Sequence, residues 1–467
     1  MSRTITSVRG RRVWDSRGRP TVEAEVACGP HIGRAIAPSG ASTGSAEAVE
    51  RRDGGSAFAG FDVRNATAVV NAAIAAALVG MDVCDQRAVD DALADLDPSG
   101  NFAALGANAT TATSMACAHA AAAVTGVPLW HYLLTGPDIG GEPLGEPTPC
   151  DSAFVSSAEP AEQAKRELDE ASGRTYPLKS LVTVPLPEIQ IFGGGAHAGE
   201  RIDIQDLMVM APGAGSFAEA LDWTAEIYRA AGGLVPAVGV ADEGGWWPSF
   251  DSNEHAIETL ATAVATAGFA LGRDVVLSLD IAASEFWRDG AYRLVLDHRT
   301  LDTDGLIDLV TRWCTDYGIA SVEDPLGEHD VAGMRAFTDA VGDRVQVVGD
   351  DIFVTNAGRI AKLEGVANAV LVKVNQTGTL SRAVDAISAA RAGGLGAIVS
   401  ARSGESEDVT IAHLAVGWQV GQLKVGSITR GERTAKWNEM IRIEEALGDR
   451  ATFAGWQPLP SEPPRGT

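Results

Sequence analysis

Between residues 275 and 426 the chain repeats a pattern that few folds can accommodate. Short β-branched runs recur (VVLSLD, IASVED, VQVVGDD, AVLVKVN, GAIVSAR and GQLKVG), most of them separated by helix-length stretches. Strands joined this way must run parallel, because only a long crossover returns the chain to the same edge. Several such units within roughly 250 residues predict a closed (β/α)8 barrel rather than an open sheet. Each run ends in or near a polar residue: Asp280, Glu323, Asp350, Lys373, Arg402 and Lys424. In a barrel of this kind the C-terminal strand ends carry the chemistry, so these six side chains are expected to share one mouth.

The first 134 residues follow a different rule. Alternating apolar stretches at 4–8, 21–27 and 33–37 read as strands, and Ala-rich stretches at 66–78 and 107–124 read as helices. An α+β domain is therefore expected ahead of the barrel, which is assigned to 184–457. Residues 135–183 are rich in Gly, Pro and Glu and read as a linker. It carries one surface helix, with Ser157 as its cap and Pro160 in its first turn. The Pro-rich residues 458–467 read as a disordered tail.

The charge balance narrows the partners. Sixty-two acidic against 37 basic residues give a net charge of -25. A field of that sign repels phosphate backbones and anionic lipid heads, which argues against nucleic acid and membrane surfaces. An anionic substrate must then be held by local basic residues or a metal ion. The five cysteines are scattered, with no C-x-x-C pair, and no apolar export segment opens the chain, so a reduced, cytoplasmic protein is expected.

Three carboxylates on consecutive strand ends, Asp280, Glu323 and Asp350, repel one another unless a cation lies between them. An all-oxygen donor set without Cys or His suits Mg²⁺ better than zinc. Lys373 and Lys424 follow on later strands. Either could serve as a base if its pKa fell toward neutrality, or both could simply pair with the carboxylates.

The strings DSRGRPTVEAEV, PSGASTG, GANA, DEGG, LDIAASEF, VEDPL, GDDIFVTN, LVKVNQTGTL, RSGESED and IRIEEALG resemble, in order, those of the enolase family, and the likeness spans the chain outside 135–183 and the tail. The resemblance implies an α+β lid domain on a barrel, one or two Mg²⁺ ions, a small phosphorylated carboxylic acid as substrate, and a homodimer or higher homo-oligomer. It also implies roles. Asp280, Glu323 and Asp350 would hold the first Mg²⁺ and Ser42 would reach a second. Lys373 would take the proton alpha to the carboxylate and Glu243 would protonate the departing hydroxyl. Arg402 and Ser403 would hold phosphate, Lys424 the substrate carboxylate, and His197 would sit on a closing loop, with Gln205 nearby.

The sequence departs from the family pattern where substrate would bind. Ala401 stands in place of the histidine of S-H-R-S, Gly193 in place of the asparagine that opens the Gly-rich loop, and Asp206 in place of a glutamate, shorter by about 1.5 Å. Trp246 and Trp247 follow DEGG and read equally as core filler or pocket wall. Three large-to-small changes predict a widened site and a specialised lyase. One alternative is an enzyme like the enolase relatives that make carboxyphosphonoenolpyruvate in phosphinate antibiotic pathways. Another, of a different class, is a catalytically weak binding protein.

Overall fold

The computed structural model describes residues 2–41, 43–135, 181–236 and 239–460, and at 197 the backbone only. Ser42, the side chain of His197 and the surface helix expected around Ser157 lie outside the described residues.

Strands β1 (Ser7–Trp14), β2 (Pro20–Cys28) and β3 (His31–Ile36) form an antiparallel sheet. β1 lies later than the expected 4–8. It carries arginines at 9, 11 and 12, and Arg11 pairs across the strands with Glu23 and Glu25. The buried face of the sheet rests on the helix Ala107–Thr125. Its small side chains allow so close an approach that a Cβ at Gly33 would lie 2.2 Å from the Ala116 carbonyl oxygen.

β4 (Val182–Val184) leads into the barrel strands β5 (Leu186–Gly193), β6 (Asp206–Met210) and β7 (Val276–Asp280). A small sheet of β8 (Trp287–Arg288), β9 (Ala291–Leu294) and β10 (Arg299–Leu301) intervenes. The barrel then continues through β11 (Ile319–Glu323), β12 (Gln346–Gly349), β13 (Ala369–Val372), β14 (Gly396–Ser400) and β15 (Gln422–Gly426), which closes on β5. β6 runs antiparallel to both neighbours. Its N-terminal end is therefore the end that reaches the mouth, a reversal that the parallel-strand pattern beginning at β7 does not announce.

β4 pairs with β16 (Ala451–Phe453). Residue 183 thus belongs to a strand rather than to the linker. Pro458 and Leu459, expected in a disordered tail, are packed instead. Leu459 is buried with Leu186, Met210 and Val276, and the Pro458 carbonyl accepts from Gln346 Nε2 at 3.0 Å. The apolar side chain of Leu459 outweighs the surrounding prolines.

The N-terminal domain lies over the mouth. Ser39 and Gly404 exchange backbone hydrogen bonds of 2.9 and 2.8 Å, and Ser16 N donates to Glu405 O at 2.7 Å. Among the described residues no single helix is long and apolar enough to cross a membrane. Ala107–Thr125 and Leu129–Thr135 pass such a test only as a pair bent by 88°.

Where the two domains meet, His119 Nε2 lies 2.9 Å from Thr410 Oγ1, and His413 stands edge-on to His119 with Nε2 3.4 Å from Glu439 Oε1. Burial, then the neighbouring His119, depresses the His413 pKa to about 3, against the pull of Asp408. A histidine kept neutral in the fold but free to protonate when unfolded stabilises fully above its unfolded pKa, and the contribution is lost as pH falls toward the folded value. Near pH 5 this amounts to about 2 kcal/mol. Thermal denaturation should therefore show a His413→Gln variant losing less stability between pH 7 and pH 5 than the wild type. An identical loss in both would contradict this assignment.

Candidate functional site

The carboxylates expected at the mouth are there and buried, Asp280, Glu323 and Asp350 being 2%, 3% and 8% exposed. Asp280 and Glu323 are register partners at the ends of β7 and β11. Lys424, from β15, reaches between them, with Nζ 2.7 Å from Asp280 Oδ2 and 2.6 Å from Glu323 Oε2. Burial, with the charge of Asp280, pushes the Glu323 carboxyl well above its ordinary range. Burial works to discharge Lys424, but the carboxylates around it prevail and hold it firmly as ammonium.

Lys373 pairs with Asp350 Oδ2, and Gln376 Nε2 donates to Asp350 Oδ1 at 2.8 Å. Against the effect of burial, the Lys373 ammonium keeps Asp350 ionised and Asp350 raises the lysine pKa. Both lysines are thus ion-pair partners of the carboxylates here, one of the two alternatives left open by sequence. Among the described residues, the acidic trio whose donor atoms all lie within 4.8 Å of one another is Asp324, Asp350 and Asp351. Asp324 sits at φ +39°, accepts from the backbone N–H groups of Asp350 and Asp351 at 3.0 and 2.8 Å, and is pushed by burial and Asp350 up to about 8.

The donor chemistry fits a hard divalent cation. Every candidate donor is an oxygen, and the buried Asp280 and Glu323 already gather one positive charge between them.

β5 and β6 supply the opposite wall. Gln205 Nε2 donates to Asp280 Oδ2 at 3.0 Å, while Gln205 Oε1 is buried without a hydrogen-bond partner among the described residues. Asp206, register partner of Asp280, accepts from Gln190 Nε2, and its other oxygen lies 3.8 Å from Lys424 Nζ. Gln190 also accepts from Gly245 N at 2.7 Å through Oε1. Its amide therefore bridges the DEGG turn to the shortened acid. A Cβ at Gly193 would lie 2.5 Å from the Ala241 Cβ and 3.4 Å from Gln190 Nε2. The expectation that Gly193 and Asp206 open volume is thus not met around Gly193, whose space Ala241 and Gln190 already fill. Gly193→Asn should accordingly cost about 1–3 kcal/mol in urea denaturation, the usual range for overpacking. A neutral or stabilising result would mean that the space is open after all.

The side of the mouth that carries Arg402 and Ser403 is held by the N-terminal domain. Arg402, 4% exposed, is gripped by Glu47 through bonds of 3.0 and 3.2 Å and donates to Asn375 Oδ1 at 3.2 Å. Ser403 Oγ accepts from Arg17 at 3.2 Å, and the same guanidinium reaches the carbonyls of Ser39 and Gly40. Gln205, Asp206, Glu243, Asp280, Lys373, Arg402, Ser403 and Lys424 all line one cavity, with Ala401 in its wall.

Glu47, Gln190 and Gln376 hold these side chains in place but were not singled out by sequence. They lie outside the charged strand ends that drew attention there. Trp246 proves to be core filler, stacked on Tyr228 with ring centroids 4.7 Å apart and donating to the Tyr228 carbonyl. Trp247 instead lies against the Gly-rich loop, donating to the Ala198 carbonyl beneath the Arg201 guanidinium.

A closed eight-stranded barrel capped by an α+β domain, with buried acids and lysines at its mouth, defines a class of barrel enzymes. Family comparison makes the assignment specific. Residues 5–133 match the model for the enolase N-terminal domain and residues 181–460 the model for the enolase C-terminal TIM barrel domain. The chain belongs to the enolase family.

Proposed function

We propose that the protein is an enolase-type, Mg²⁺-dependent lyase. It removes the proton alpha to a carboxylate and eliminates the beta hydroxyl of 2-phosphoglycerate or a close phosphorus analogue, giving a phosphoenolpyruvate-type product. The observation that carries this reading is the convergence of Lys373, Glu243, Lys424, Arg402 and Ser403 on one cavity beside the acids.

Asp280, Glu323 and Asp350 would hold one Mg²⁺, with Ser42 toward a second. The bound ion would supply the concentrated positive charge that an enediolate requires. Lys373 Nζ takes the alpha proton. Here it is held as ammonium by Asp350, so its role as base requires the Asp350 charge to be engaged elsewhere. Glu243 delivers a proton to the departing hydroxyl, which leaves as water, because hydroxide alone is a poor leaving group. Lys424 faces the substrate carboxylate. Arg402 and Ser403, fixed by Glu47 and Arg17, receive the phosphoryl oxygens. Gln205 Oε1 is an acceptor left for a substrate hydroxyl.

Ala401, in the cavity wall beside Arg402, favours a second reading in which the substrate carries a bulkier phosphorus group, as in carboxyphosphonoenolpyruvate synthesis. Turnover of 2-phosphoglycerate with Mg²⁺, followed by enol phosphate absorbance, separates the two. On the first reading the wild type is active and Ala401→His raises kcat/KM, by up to about 10²-fold if the histidine is a positioning contact. Turnover of a phosphonate analogue alone would select the second. Inactivity toward both, with Mg²⁺ bound, would remove the lyase assignment.

A further inference from the structure

A second cavity, of about 440 Å³, opens beside the β8–β10 sheet and shares no lining residue with the mouth. Trp287 and Tyr292 form one wall, their rings 4.5 Å apart, and the segment Gly327 to Asp330 forms the other. Among the described residues the lining carries two carboxylates and one histidine but no lysine or arginine. Asp330 is committed to the fold: it caps the helix Val331–Val341 through Gly333 N at 2.9 Å and accepts from Tyr292 and Thr303 at 3.1 and 2.6 Å. Glu328 is placed differently. Its Oε2 accepts from Ser45 N and Oγ, both at 3.1 Å, while among the described residues Oε1 meets the ring of the largely exposed His329 at 3.4 Å.

A low-exposure carboxylate in a cavity that also has an aromatic wall disfavours an anion, and a purely apolar ligand would bury that charge without offering it a donor. We infer that this cavity is a binding site for a small primary alkylammonium group. The ammonium donates to Glu328 Oε1 and the methylene chain lies on the half-buried Trp287 ring, which the fully buried Tyr292 backs. The Ser45 tether also ties the site to the segment whose Glu47 grips Arg402.

Calorimetric titration of the full chain with butylammonium chloride, against 1-butanol as the neutral isostere, tests this assignment. Saturable one-to-one binding is expected, at least about tenfold tighter for the ammonium than for the alcohol. Glu328→Gln keeps the shape and the Ser45 contacts but removes the charge, and Trp287→Ala removes the wall. Each should weaken butylammonium about tenfold, and for Glu328→Gln the unfolding temperature should stay near that of the wild type. Should Glu328→Gln fail to fold, Trp287→Ala still decides. Equal binding of alcohol and ammonium, unchanged affinity in the variants, or no saturable heat would each overturn the inference. The titration does not depend on catalytic turnover, so its outcome is separate from that of the lyase reading.

Discussion

Lys373→Ala should lower kcat by about 10²- to 10⁴-fold, the range general-base removal usually costs. The same substitution should tighten divalent-ion binding rather than weaken it. In the metal-free protein the Lys373 ammonium competes for Asp350, and its removal frees that carboxylate for a cation. Opposite signs in the two measurements separate a base from a merely structural lysine. Steady-state kinetics together with Mg²⁺ titration read both. A variant with full activity, or one that loses activity and metal binding in parallel, would remove Lys373 from the role of base.

Lys424→Met should be the most destabilising of the mouth substitutions in the absence of metal. Taking one partner from a buried ion pair costs about 3–5 kcal/mol because the remaining charge stays buried, and here Asp280 and Glu323 are left facing each other. Chemical denaturation should show the deficit shrinking when Mg²⁺ is added. It should also shrink as pH falls. Glu323 has its folded pKa raised above the unfolded value, so the variant is penalised at high pH and relieved as a proton neutralises that carboxylate. A deficit independent of both Mg²⁺ and pH would mean that the loss comes from packing alone.

Much of the frame was legible in the sequence because it rests on local periodicity. The runs ending at Asp280, Glu323 and near Asp350 are buried strands bounded by turns, and the crossover rule turns such runs into a barrel. β5 and β6 were harder to read. Both are buried along their whole length, so they do not alternate, and β6 is reversed. Gln205 and Asp206 therefore reach the mouth from the start of a strand, where the C-terminal rule gives no signal. Only the resemblance pointed to them.

Contacts of long sequence separation were not legible. Glu47 meets Arg402 across 355 positions and Arg17 meets Ser403 across 386. Gly193 shows the limit of comparing residue sizes alone. A smaller residue enlarges a site only if nothing else fills the space, and Ala241 and Gln190 do so here.

The most direct test of the central claim is exchange of the C-2 proton of 2-phosphoglycerate with deuterium oxide, followed by proton magnetic resonance. Expected are Mg²⁺-dependent exchange in the wild type, its loss in Lys373→Ala, and its survival in Glu243→Gln, in which elimination is blocked but proton abstraction is not. Exchange that persists in Lys373→Ala, or is absent from the metal-bound wild type with both 2-phosphoglycerate and a phosphonate analogue, would contradict the account.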